Sequence, residues 1–474
     1  MSGAGGPMSP AGDPMSGAGG PVGAAQDPAN SDTVLVRKGA YHDSVTLMRI
    51  SGALTALPGV AAAMVAMGTE LNLGILRDLG FSVPAADPGD LLIAVRAHDP
   101  GAAVEEAERL LSSVRPPDGG SAEQPPLTTG SAARGGADLV LVSTPGEHAF
   151  AEAQDAVRAG LPVMIFSDGV PVAQERLLKE LAESTDVLVM GPDCGTAVIG
   201  GVGLGFANVL SPGPVGVVAA SGTGAQQVTS LLDWAGTGVS HVLGVGGRDL
   251  SAEVGGLSTL RALRMLDDDP ATELIVLVSK PPSPGVAAAV REAVGRLRTP
   301  VVPALLPETD LTEAAERALR TLGRPVPEWP SWPAWSGRQT RAKTIKGVYS
   351  GGTLGAEAAT VAGQGEFVDY GDDAYTRGRA HPMIDPTLRV EALAQAHESE
   401  LVLMDVVLGH GADPDPAASL AHAVARTPAT VVIALVGTEG DPQDLHRQAA
   451  AFREAGAAVF TSNAQAARHA RSLL

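Results

Sequence analysis

The sequence predicts an α/β protein whose strands lie in parallel sheets covered on both faces. Apolar runs such as residues 137–145 (ADLVLVSTP) and 161–168 (LPVMIFSD) are continuous and lack the alternation of a half-exposed strand. Helical patterns separate these runs and have the length that β-α-β units need. A chain of 474 residues is long enough for several such domains, so we expect a doubly wound, multi-domain architecture.

The composition limits the classes of protein that remain. Hydrophobic residues make up 45% of the chain but aromatic residues only 3%, so small aliphatic side chains are expected to fill the core. The formal net charge of −20 argues against a surface that binds the phosphate backbone of nucleic acids. Apolar runs are shorter than a membrane span requires, so no membrane partner is expected. The single cysteine, Cys194, rules out an internal disulfide, and a structural thiol is favoured over a nucleophile.

The order of patterns along the chain gives the predicted domains. Residues 1–31 repeat MSGAGGP and lack the regions of a signal peptide, which predicts a disordered tail on a cytoplasmic protein. Alternating strands and helices predict domains over residues 32–196, 197–322 and 343–474. Residues 323–342 combine prolines with three of the four tryptophans, and the tryptophans of this linker are expected to dock on a domain surface.

Two glycine-rich turns with the same pattern carry the strongest local signal for function. In each, a strand ends in small residues and a helix begins at once, at residues 217–224 and again at 348–355. The first N–H groups of a helix have no partner within it, and the helix dipole adds partial positive charge there. Glycines let a phosphate approach these groups, while an ordinary Ser or Thr N-cap is the alternative. The candidate phosphate-binding residues are Ser221, Gly222, Thr223, Gly224, Gly351, Gly352 and Thr353.

Two cationic side chains follow neighbouring predicted strands, at the edge where open α/β sheets bind ligands. Arg248 comes after the Gly246-Gly247 turn and could hold a phosphate or carboxylate through its guanidinium, or simply pair with Asp249. Lys280 ends the next strand and is a second candidate. Both cations, together with Gly246 and Gly247, are therefore candidate site residues.

The C-terminal part of the chain adds two histidines in polar turns. Asp369, Asp372 and Asp373 precede a segment that contains His381, and carboxylates beside Arg and His could bind Mg²⁺ or orient a substrate. A solvated loop is the alternative for this segment. His410 follows the strand LVLMDVVL in a glycine turn and is a candidate for acid–base or phosphoryl-transfer chemistry. The two histidines complete the catalytic candidates, and no set of metal ligands is assigned.

Several of these motifs resemble those of succinyl-CoA synthetase. Between residues 137 and 303, GPDCGTAVIG, VGVVAASGTGAQQV and VLGVGGRDL resemble turns and the phosphate-facing helix of its α subunit. From about Lys346, GGTLGAEAA, LMDVVLGHGADPD and VGTEGDPQ resemble the C-terminal ligase domain of its β subunit. The resemblance implies a Rossmann-like CoA-binding-type domain followed by two flavodoxin-like ligase-type domains, and it makes CoA a candidate cofactor beside Mg²⁺.

Most of the chain is similar to FdrA proteins, which are acyl-CoA-synthetase-like and fuse these two halves. The motifs RKGAYHDSVTLM and GDDAYTRGRAHPMIDPTLR belong to this resemblance. The sequence departs from the synthetase in two ways. The stretch PETDLTEAAERA holds no histidine where the α subunit carries its phosphorylated one, and no ATP-grasp domain is recognisable.

The FdrA resemblance implies a role in purine and allantoin breakdown, as a subunit of an oxamate carbamoyltransferase with further subunits as partners. Carbamoyl phosphate is a small acyl phosphate, so the two turns are expected to hold its phosphate and to stabilise charge at the transferring group. We therefore expect an oligomer that binds an acyl or carbamoyl phosphate or a CoA ester. The alternatives are an acid–CoA ligase subunit whose partner supplies ATP, and a non-catalytic CoA- or metabolite-binding scaffold.

Overall fold

The computed structural model describes residues 30–40, 42, 44–113, 126, 128–333, 340–376 and 379–474. The predicted tail lies outside this part of the chain except for its last two residues, and so do Arg377, Gly378 and the linker residue Trp335. The described residues form four sheets with helices between them, and three of these sheets contain parallel strands. This confirms the predicted α/β class. Across the same residues, every helix is too short or too polar to pass through a lipid bilayer.

The N-terminal domain comprises residues 31–113 and has its own core. Its elements are β1 (Ser31–Arg37), α1 (Ser44–Thr55), β2 (Val60–Met67), α2 (Glu70–Asp78), β3 (Leu91–Ala97) and α3 (Pro100–Ser113). Strands β1 and β2 lie on either side of β3, and each pairs with it in the antiparallel sense. Helices α1 and α3 cover one face, where Leu47 and Ile93 are buried, and α2 covers the other through Leu76.

This domain differs from the predicted one over residues 32–196. The sequence predicts a single Rossmann-like sheet there, whereas the structure divides the range between the antiparallel sheet and a separate parallel one. Strand β2 explains the difference, because its sequence VAAAMVAM is rich in alanine and suits a helix as well as a strand. With β2 unrecognised, the antiparallel pairing with β3 is not visible in the sequence.

The small domain comprises residues 129–190 and contains the second part of that predicted range. Its elements are α4 (Thr129–Ala133), β4 (Val140–Val142), α5 (Gly146–Arg158), β5 (Val163–Ile165), α6 (Val172–Thr185) and β6 (Val189–Met190). The three strands are parallel and lie in the order of the sequence. This is the pattern of buried strands and intervening helices that the apolar runs predict.

The central domain comprises residues 196–321. Its elements are β7 (Thr196–Ile199), β8 (Val202–Gly205), β9 (Pro212–Ala219), α7 (Gly222–Trp234), β10 (Val239–Gly244), α8 (Leu257–Asp268), β11 (Leu274–Ser279), α9 (Pro284–Val294), β12 (Val301–Leu305) and α10 (Leu311–Thr321). The strand order is β12-β11-β9-β10-β7-β8. Strands β9 to β12 are parallel, and the β7–β8 hairpin adds two strands beside β10.

The C-terminal domain comprises residues 331–472. Its elements are β13 (Ser331–Trp332), β14 (Thr344–Tyr349), α11 (Gly352–Ala362), β15 (Glu366–Asp369), α12 (Asp373–Thr376), α13 (Thr387–Ala394), β16 (Glu400–Val407), α14 (Pro416–Arg426), β17 (Thr430–Val436), α15 (Leu445–Glu454), β18 (Ala458–Phe460) and α16 (Asn463–Ser472). Strands β14 to β18 are parallel in the 2-1-3-4-5 order of a flavodoxin-like fold, as predicted.

The predicted linker is more than a connection between domains. Strand β13 comes from it and pairs with β18 in the antiparallel sense. Trp329 is buried and donates from Nε1 to Glu316 Oε1 on α10 at 3.2 Å. The linker therefore docks on the central domain, as its tryptophans predict, and also extends the C-terminal sheet.

Shared hydrophobic cores join three of the four domains. Leu231 of α7 and Leu354 of α11 belong to one cluster that runs through the central and C-terminal domains. Met164 and Leu188 of the small domain belong to another, together with Leu243 of the central domain. Because these cores are continuous, the loops that follow the strands of the three domains keep fixed positions relative to one another.

Candidate functional site

The starts of α7 and α11 face each other across the interface between the central and C-terminal domains. Thr223, in the first turn of α7, lies against Gly351, where a Cβ atom would be 2.6 Å from Thr223 Cγ2. Thr353, in the first turn of α11, lies against Gly224, where a Cβ atom would be 3.1 Å from Thr353 Cγ2. The structure thus brings the two predicted turns together, and each threonine packs on a glycine of the opposite helix.

These reciprocal contacts decide which predicted residues remain open to a ligand. Thr353 is only 3% exposed, and Gly351 is buried with it. Ser221, Gly222, Thr223 and Gly352 remain partly exposed. The structure therefore makes Thr353 a packing residue of the interface and leaves these four as the accessible groups.

The two helices begin with different capping. At α7, the hydroxyl of Ser221 accepts a hydrogen bond from the N–H of Gly224 at 3.1 Å, which is the ordinary N-cap interaction. At α11, Gly351 takes the N-cap position and no side chain caps the helix. The nearby hydroxyl of Ser350 instead donates to Asp405 Oδ1 at 2.9 Å. The first turn of α11 therefore keeps N–H groups that no side-chain cap satisfies.

A buried charge pair fixes the turn before α11. Asp405 is fully buried, and its Oδ1 accepts from the N–H of Ser350 at 2.8 Å and from Arg389 Nη1 at 3.3 Å. Arg389 also donates to the carbonyl oxygens of Asp405 and Pro382. Burial raises the pKa of Asp405 to about 6, although Arg389 favours the ionised form. The pair holds β14, β16 and α13 together behind the helix start.

Lys280 and Asp369 approach the same glycine of α11 from two domains. A Cβ atom at Gly352 would lie 2.5 Å from Asp369 Oδ2 and 3.4 Å from Lys280 Nζ. Lys280 follows β11 of the central domain, and Asp369 ends β15. Asp369 Oδ1 accepts from the N–H of Gly371 at 2.9 Å. Desolvation raises the pKa of Asp369, while the hydrogen bond from Gly371 and the charge of Lys280 oppose that rise.

His381 lies beside this group as a neutral imidazole. Its Nδ1 accepts from the N–H of Met383 at 3.2 Å, so the proton is assigned to Nε2. Nε2 faces Gly371, where a Cβ atom would be 2.7 Å away. Burial and the charge of Arg389 lower the pKa of His381 to about 4. The ring also stacks at a tilt on Phe206 of the central domain, with centroids 5.5 Å apart. His381 can therefore donate a hydrogen bond from Nε2 at neutral pH.

The side chain of Arg248 points toward the small domain and contacts it. Its guanidinium donates to the carbonyl of Val170 at 2.7 Å and pairs with Glu175 Oε2 at 3.0 Å. Asp249, the partner considered from sequence, pairs instead with the buried Lys179 at 2.8 Å. The alternative Arg248–Asp249 pair is therefore not formed, because Glu175 of α6 supplies the carboxylate from a distant part of the chain.

The Gly246-Gly247 turn packs against the turn that contains Cys194. Gly246 has a φ of +88°, and a Cβ atom there would be 2.5 Å from the carbonyl oxygen of Pro192, so the position requires glycine. The Cys194 thiol is buried and donates to the carbonyl of Gly244, and burial raises its pKa to about 12. These properties agree with a structural cysteine and with a structural turn.

His410 joins two domains through its backbone. Its N–H donates to the carbonyl of Ala207 at 2.8 Å, and its carbonyl accepts from the N–H of Ala207 at 3.3 Å. The imidazole is exposed, and it forms no hydrogen bond or salt bridge with any residue that the structure describes. The catalytic role of His410 stays a prediction, and its visible contribution is to the domain interface.

Carboxylates from two domains influence one another near these turns. Desolvation and the charges of Asp168 and Asp373 raise the pKa of Asp193 to about 6, although its carboxylate still reaches solvent. Among the described residues, no group of three or more His, Cys, Asp or Glu side chains is arranged to hold a metal ion. Asp369, Asp372 and Asp373 are therefore not part of such a group.

Asn463 connects the two helix starts and was not identified from sequence. Its N–H donates to Gln227 Oε1 of α7 at 2.9 Å, and its Nδ2 donates to Glu357 Oε2 of α11 at 2.6 Å. It also accepts from the hydroxyl of Tyr349 at 3.1 Å. Glu357 Oε1 accepts from the N–H of Leu311 at 2.5 Å, and burial raises the pKa of Glu357 to about 7. The sequence signal that could indicate this contact is a polar residue at the sixth position of each helix, Gln227 in α7 and Glu357 in α11.

Comparison with known proteins agrees with this arrangement of domains. Residues 348–473 match the family model described as CoA-ligase, and residues 30–126 match the model described as "AllF, heavy metal-associated domain". Subunit alpha 1 of the ADP-forming succinate–CoA ligase of Archaeoglobus fulgidus is 30% identical, over 30% of this chain and 50% of that subunit. The fold and these matches define the class: an α/β protein with a CoA-ligase domain, related to the α subunits of succinate–CoA ligases.

The family follows from a relative that spans nearly the whole chain. The uncharacterized protein YahF of Escherichia coli (strain K12) is 35% identical over 93% of this chain and 98% of YahF. The chain belongs to the same family as YahF. Among solved structures, a dinucleotide-forming acetyl-coenzyme A synthetase of Ca. Korarchaeum cryptofilum covers 71% of this chain and 82% of its own, at 16% identity and a TM-score of 0.30. The chain spans about half the length of the succinate–CoA ligase subunit that it matches.

The description of the first family model raises the question of a heavy-metal site. Thiolates are the ligands that soft metal ions such as Cu(I) prefer, and residues 30–126 contain no cysteine. The described residues of this range also hold no cluster of metal-ligating side chains. In the loop after β1, Lys38 Nζ instead pairs with the buried Asp90 at 2.8 Å. The residues present therefore do not fit a heavy-metal centre that is held by thiolates.

Proposed function

We propose that this protein is an FdrA-type subunit that transfers an acyl or carbamoyl group to or from phosphate, of the oxamate carbamoyltransferase type. In this proposal it acts with further subunits in purine and allantoin breakdown. The phosphate binds between the starts of α7 and α11, where the N–H groups of α11 and the ammonium group of Lys280 meet it. The substrate is a small acyl or carbamoyl phosphate.

The observation that carries the proposal is the convergence of two domains on Gly352. An uncapped helix start and a lysine of the other domain approach this residue, with Lys280 Nζ 3.4 Å from the position of a Cβ atom. The stretch from Leu306 to Leu319 contains no histidine, so a phosphohistidine in that position is not part of the proposal. Transfer between a nitrogen and a phosphate oxygen does not require one.

The proposed reaction, in the direction of phosphorolysis, balances without a further reactant. A phosphate oxygen attacks the carbamoyl carbon of oxalurate, the bond from that carbon to the oxamate nitrogen breaks, and the phosphate proton moves to this nitrogen. The products are carbamoyl phosphate and oxamate. Lys280 and the N–H groups of α11 hold the phosphate, while the Nε2–H of His381 can donate to the oxygen that gains negative charge.

The test is an assay of oxalurate phosphorolysis with the protein and its operon partners purified together, at about pH 7–8. Gly352→Val should abolish activity, because its Cβ would lie 2.5 Å from Asp369 Oδ2 and its side chain would fill the phosphate position. Thr223→Val should lower activity through loss of the hydroxyl. The control is Cys194→Ala, which changes a buried thiol away from Gly352 and should leave activity nearly unchanged.

Two outcomes would contradict the proposal. If Gly352→Val and Thr223→Val together leave phosphorolysis unchanged, the phosphate is not bound between the two helices. If the complex forms no carbamoyl phosphate from oxalurate, the carbamoyltransferase activity itself is wrong.

A second candidate function is an acid–CoA ligase subunit whose partner supplies ATP. The match of residues 348–473 to the CoA-ligase family and the similarity to succinate–CoA ligase α subunits favour it. A neighbouring gene for an ATP-grasp protein, and formation of an acyl-CoA by the purified pair, would support the ligase. Neighbouring carbamate kinase genes and oxalurate phosphorolysis would support the transferase.

A further inference from the structure

A carboxylate of the protein stands where the proposed ligand would bind. We propose that Asp369 is a built-in competitor, whose negative charge weakens the binding of oxyanions at the start of α11 unless the carboxylate is neutralised or displaced. This inference rests on the proposed function, since it concerns the regulation of the same phosphate position.

The Asp369 carboxylate lies directly beside the first residue of α11. Its Oδ2 lies 2.5 Å from the place of a Cβ atom at Gly352, so it occupies the space that this glycine leaves open in front of α11. Within the described part of the chain, Asp369 accepts one hydrogen bond, at Oδ1 from Gly371. Its second oxygen, Oδ2, therefore lies beside the helix start without a hydrogen-bond partner among the described residues.

A lysine of the central domain approaches Gly352 beside Asp369. Lys280 reaches the same glycine from the central domain and forms no salt bridge with any described residue. An exposed lysine that acts on Asp369 through its charge but forms no salt bridge with it, beside a helix start that is not capped, leaves favourable interactions for an anion larger than a carboxylate. The Asp369 carboxylate lies among these groups but forms neither a salt bridge with Lys280 nor a hydrogen bond with the first N–H groups of α11. A competing oxyanion would form these interactions.

The charges around Asp369 set the direction of the pH effect. Lys280 faces it from the central domain, Asp372 lies in its own turn, His381 is across Gly371, and Asp405 lies behind the helix start. Desolvation raises the pKa of Asp369 above its ordinary value. At high pH the ionised Asp369 repels an incoming dianion; as the pH falls it gains a proton, the repulsion disappears, and anion affinity rises.

Sulfate is the probe that separates this effect from titration of the ligand, because its charge stays constant over the range used. Binding is measured by calorimetry on the full chain from about pH 8 down to about pH 5, above the titration of His381. Asp369→Asn keeps the bond from Gly371 and removes the charge, so it should bind sulfate about tenfold more tightly than the unmodified protein at the upper end. This difference should shrink as the pH falls.

Asp372→Asn is the matched control, since Asp372 is exposed in the same turn and its oxygen caps the N–H of Ala374. It should leave sulfate affinity close to that of the unmodified protein. Asp405 also titrates within this range, but it is present in both proteins, so the difference between them isolates Asp369.

Three results would overturn the inference. They are equal sulfate affinity of the unmodified protein and Asp369→Asn at the upper pH, weaker binding by Asp369→Asn, and no sulfate binding by either. Failure of the proposed function looks different: sulfate binding would follow the predicted pattern while the complex fails to cleave oxalurate.

Discussion

The starts of α7 and α11 share one sequence pattern but differ in the groups that they offer. At α7, Ser221 caps its own helix through Gly224. At α11, the equivalent position is Gly351, and the space for a side chain is taken by Thr223 of the other domain. The comparison teaches that packing between domains can leave a helix start without a cap. Of the two turns, α11 therefore offers the more favourable position for an anion.

The two helices also differ at their sixth residue, on either side of Asn463. Gln227 occupies this position in α7, and Glu357 occupies it in α11. Both contact Asn463, but one is neutral and the other is a buried carboxyl group. Any dependence of the interface on pH should therefore come from the α11 side.

The largest expected effect is a change of stability with pH, which tests the difference between Glu357 in α11 and Gln227 in α7. The pKa of Glu357 is raised to about 7 in the folded protein from an ordinary value of 4.5. The folded state thus holds its proton more tightly than the unfolded state. The contribution of Glu357 to stability is therefore greatest below pH 4.5 and is lost as the pH rises through about 7, by about 3 kcal/mol. In urea unfolding across this range, the difference in stability between the unmodified protein and Glu357→Gln should show this loss, because His381, whose lowered pKa gives the opposite pH dependence, is present in both proteins.

Gln227 provides the control for this experiment. Gln227→Leu should lower the free energy of unfolding at every pH, because it leaves the N–H of Asn463 and the carbonyl of Thr461 without partners. It should not change the slope with pH. If Glu357→Gln keeps the slope of the unmodified protein, the titrating group lies elsewhere, and Asp405 is the next candidate.

An intermediate effect is expected when α11 is given the N-cap residue of α7. Gly351→Ser would place Cβ 2.6 Å from Thr223 Cγ2, and this overpacking should cost about 2 kcal/mol of stability in urea unfolding. Gly285→Ser is the control, since a Cβ atom at that glycine in α9 meets nothing within 4 Å. Thr223→Ala should recover part of the loss in the double variant. Equal effects of Gly351→Ser and Gly285→Ser would mean that the helix starts are not in contact.

The sequence predicts the positions of these turns but not the contacts that distinguish them. Strand, small residues and helix follow directly from the local pattern, so the turns at Ser221 and Gly351 could be identified. The burial of Thr353 depends on Gly224 of another domain, and the partner of Arg248 is Glu175 of a third. Such partners are set by how the sheets pack, and no local pattern specifies them.

The same reasoning applies to the domains. The C-terminal domain, with its five parallel strands, follows the predicted alternation closely because each strand is a continuous apolar run. The N-terminal domain does not, since β2 is alanine-rich and its antiparallel partner is chosen by the fold. The sequence also does not predict the hydrogen-bond network around Asn463, because its partners come from α7, α11 and β14.

The smallest effect separates capping from ligand binding at Ser221. Its hydroxyl is already used by the N–H of Gly224, so Ser221→Ala should lower the free energy of unfolding by about 1 kcal/mol. Sulfate affinity should stay unchanged, because the anion position lies at the uncapped helix. Ser283→Ala is the control: Ser283 is the N-cap residue of α9 but makes no capping hydrogen bond, so its removal should cost less. A loss of sulfate affinity in Ser221→Ala, without a loss of stability, would instead make α7 an equal partner in binding and remove the asymmetry between the two helix starts.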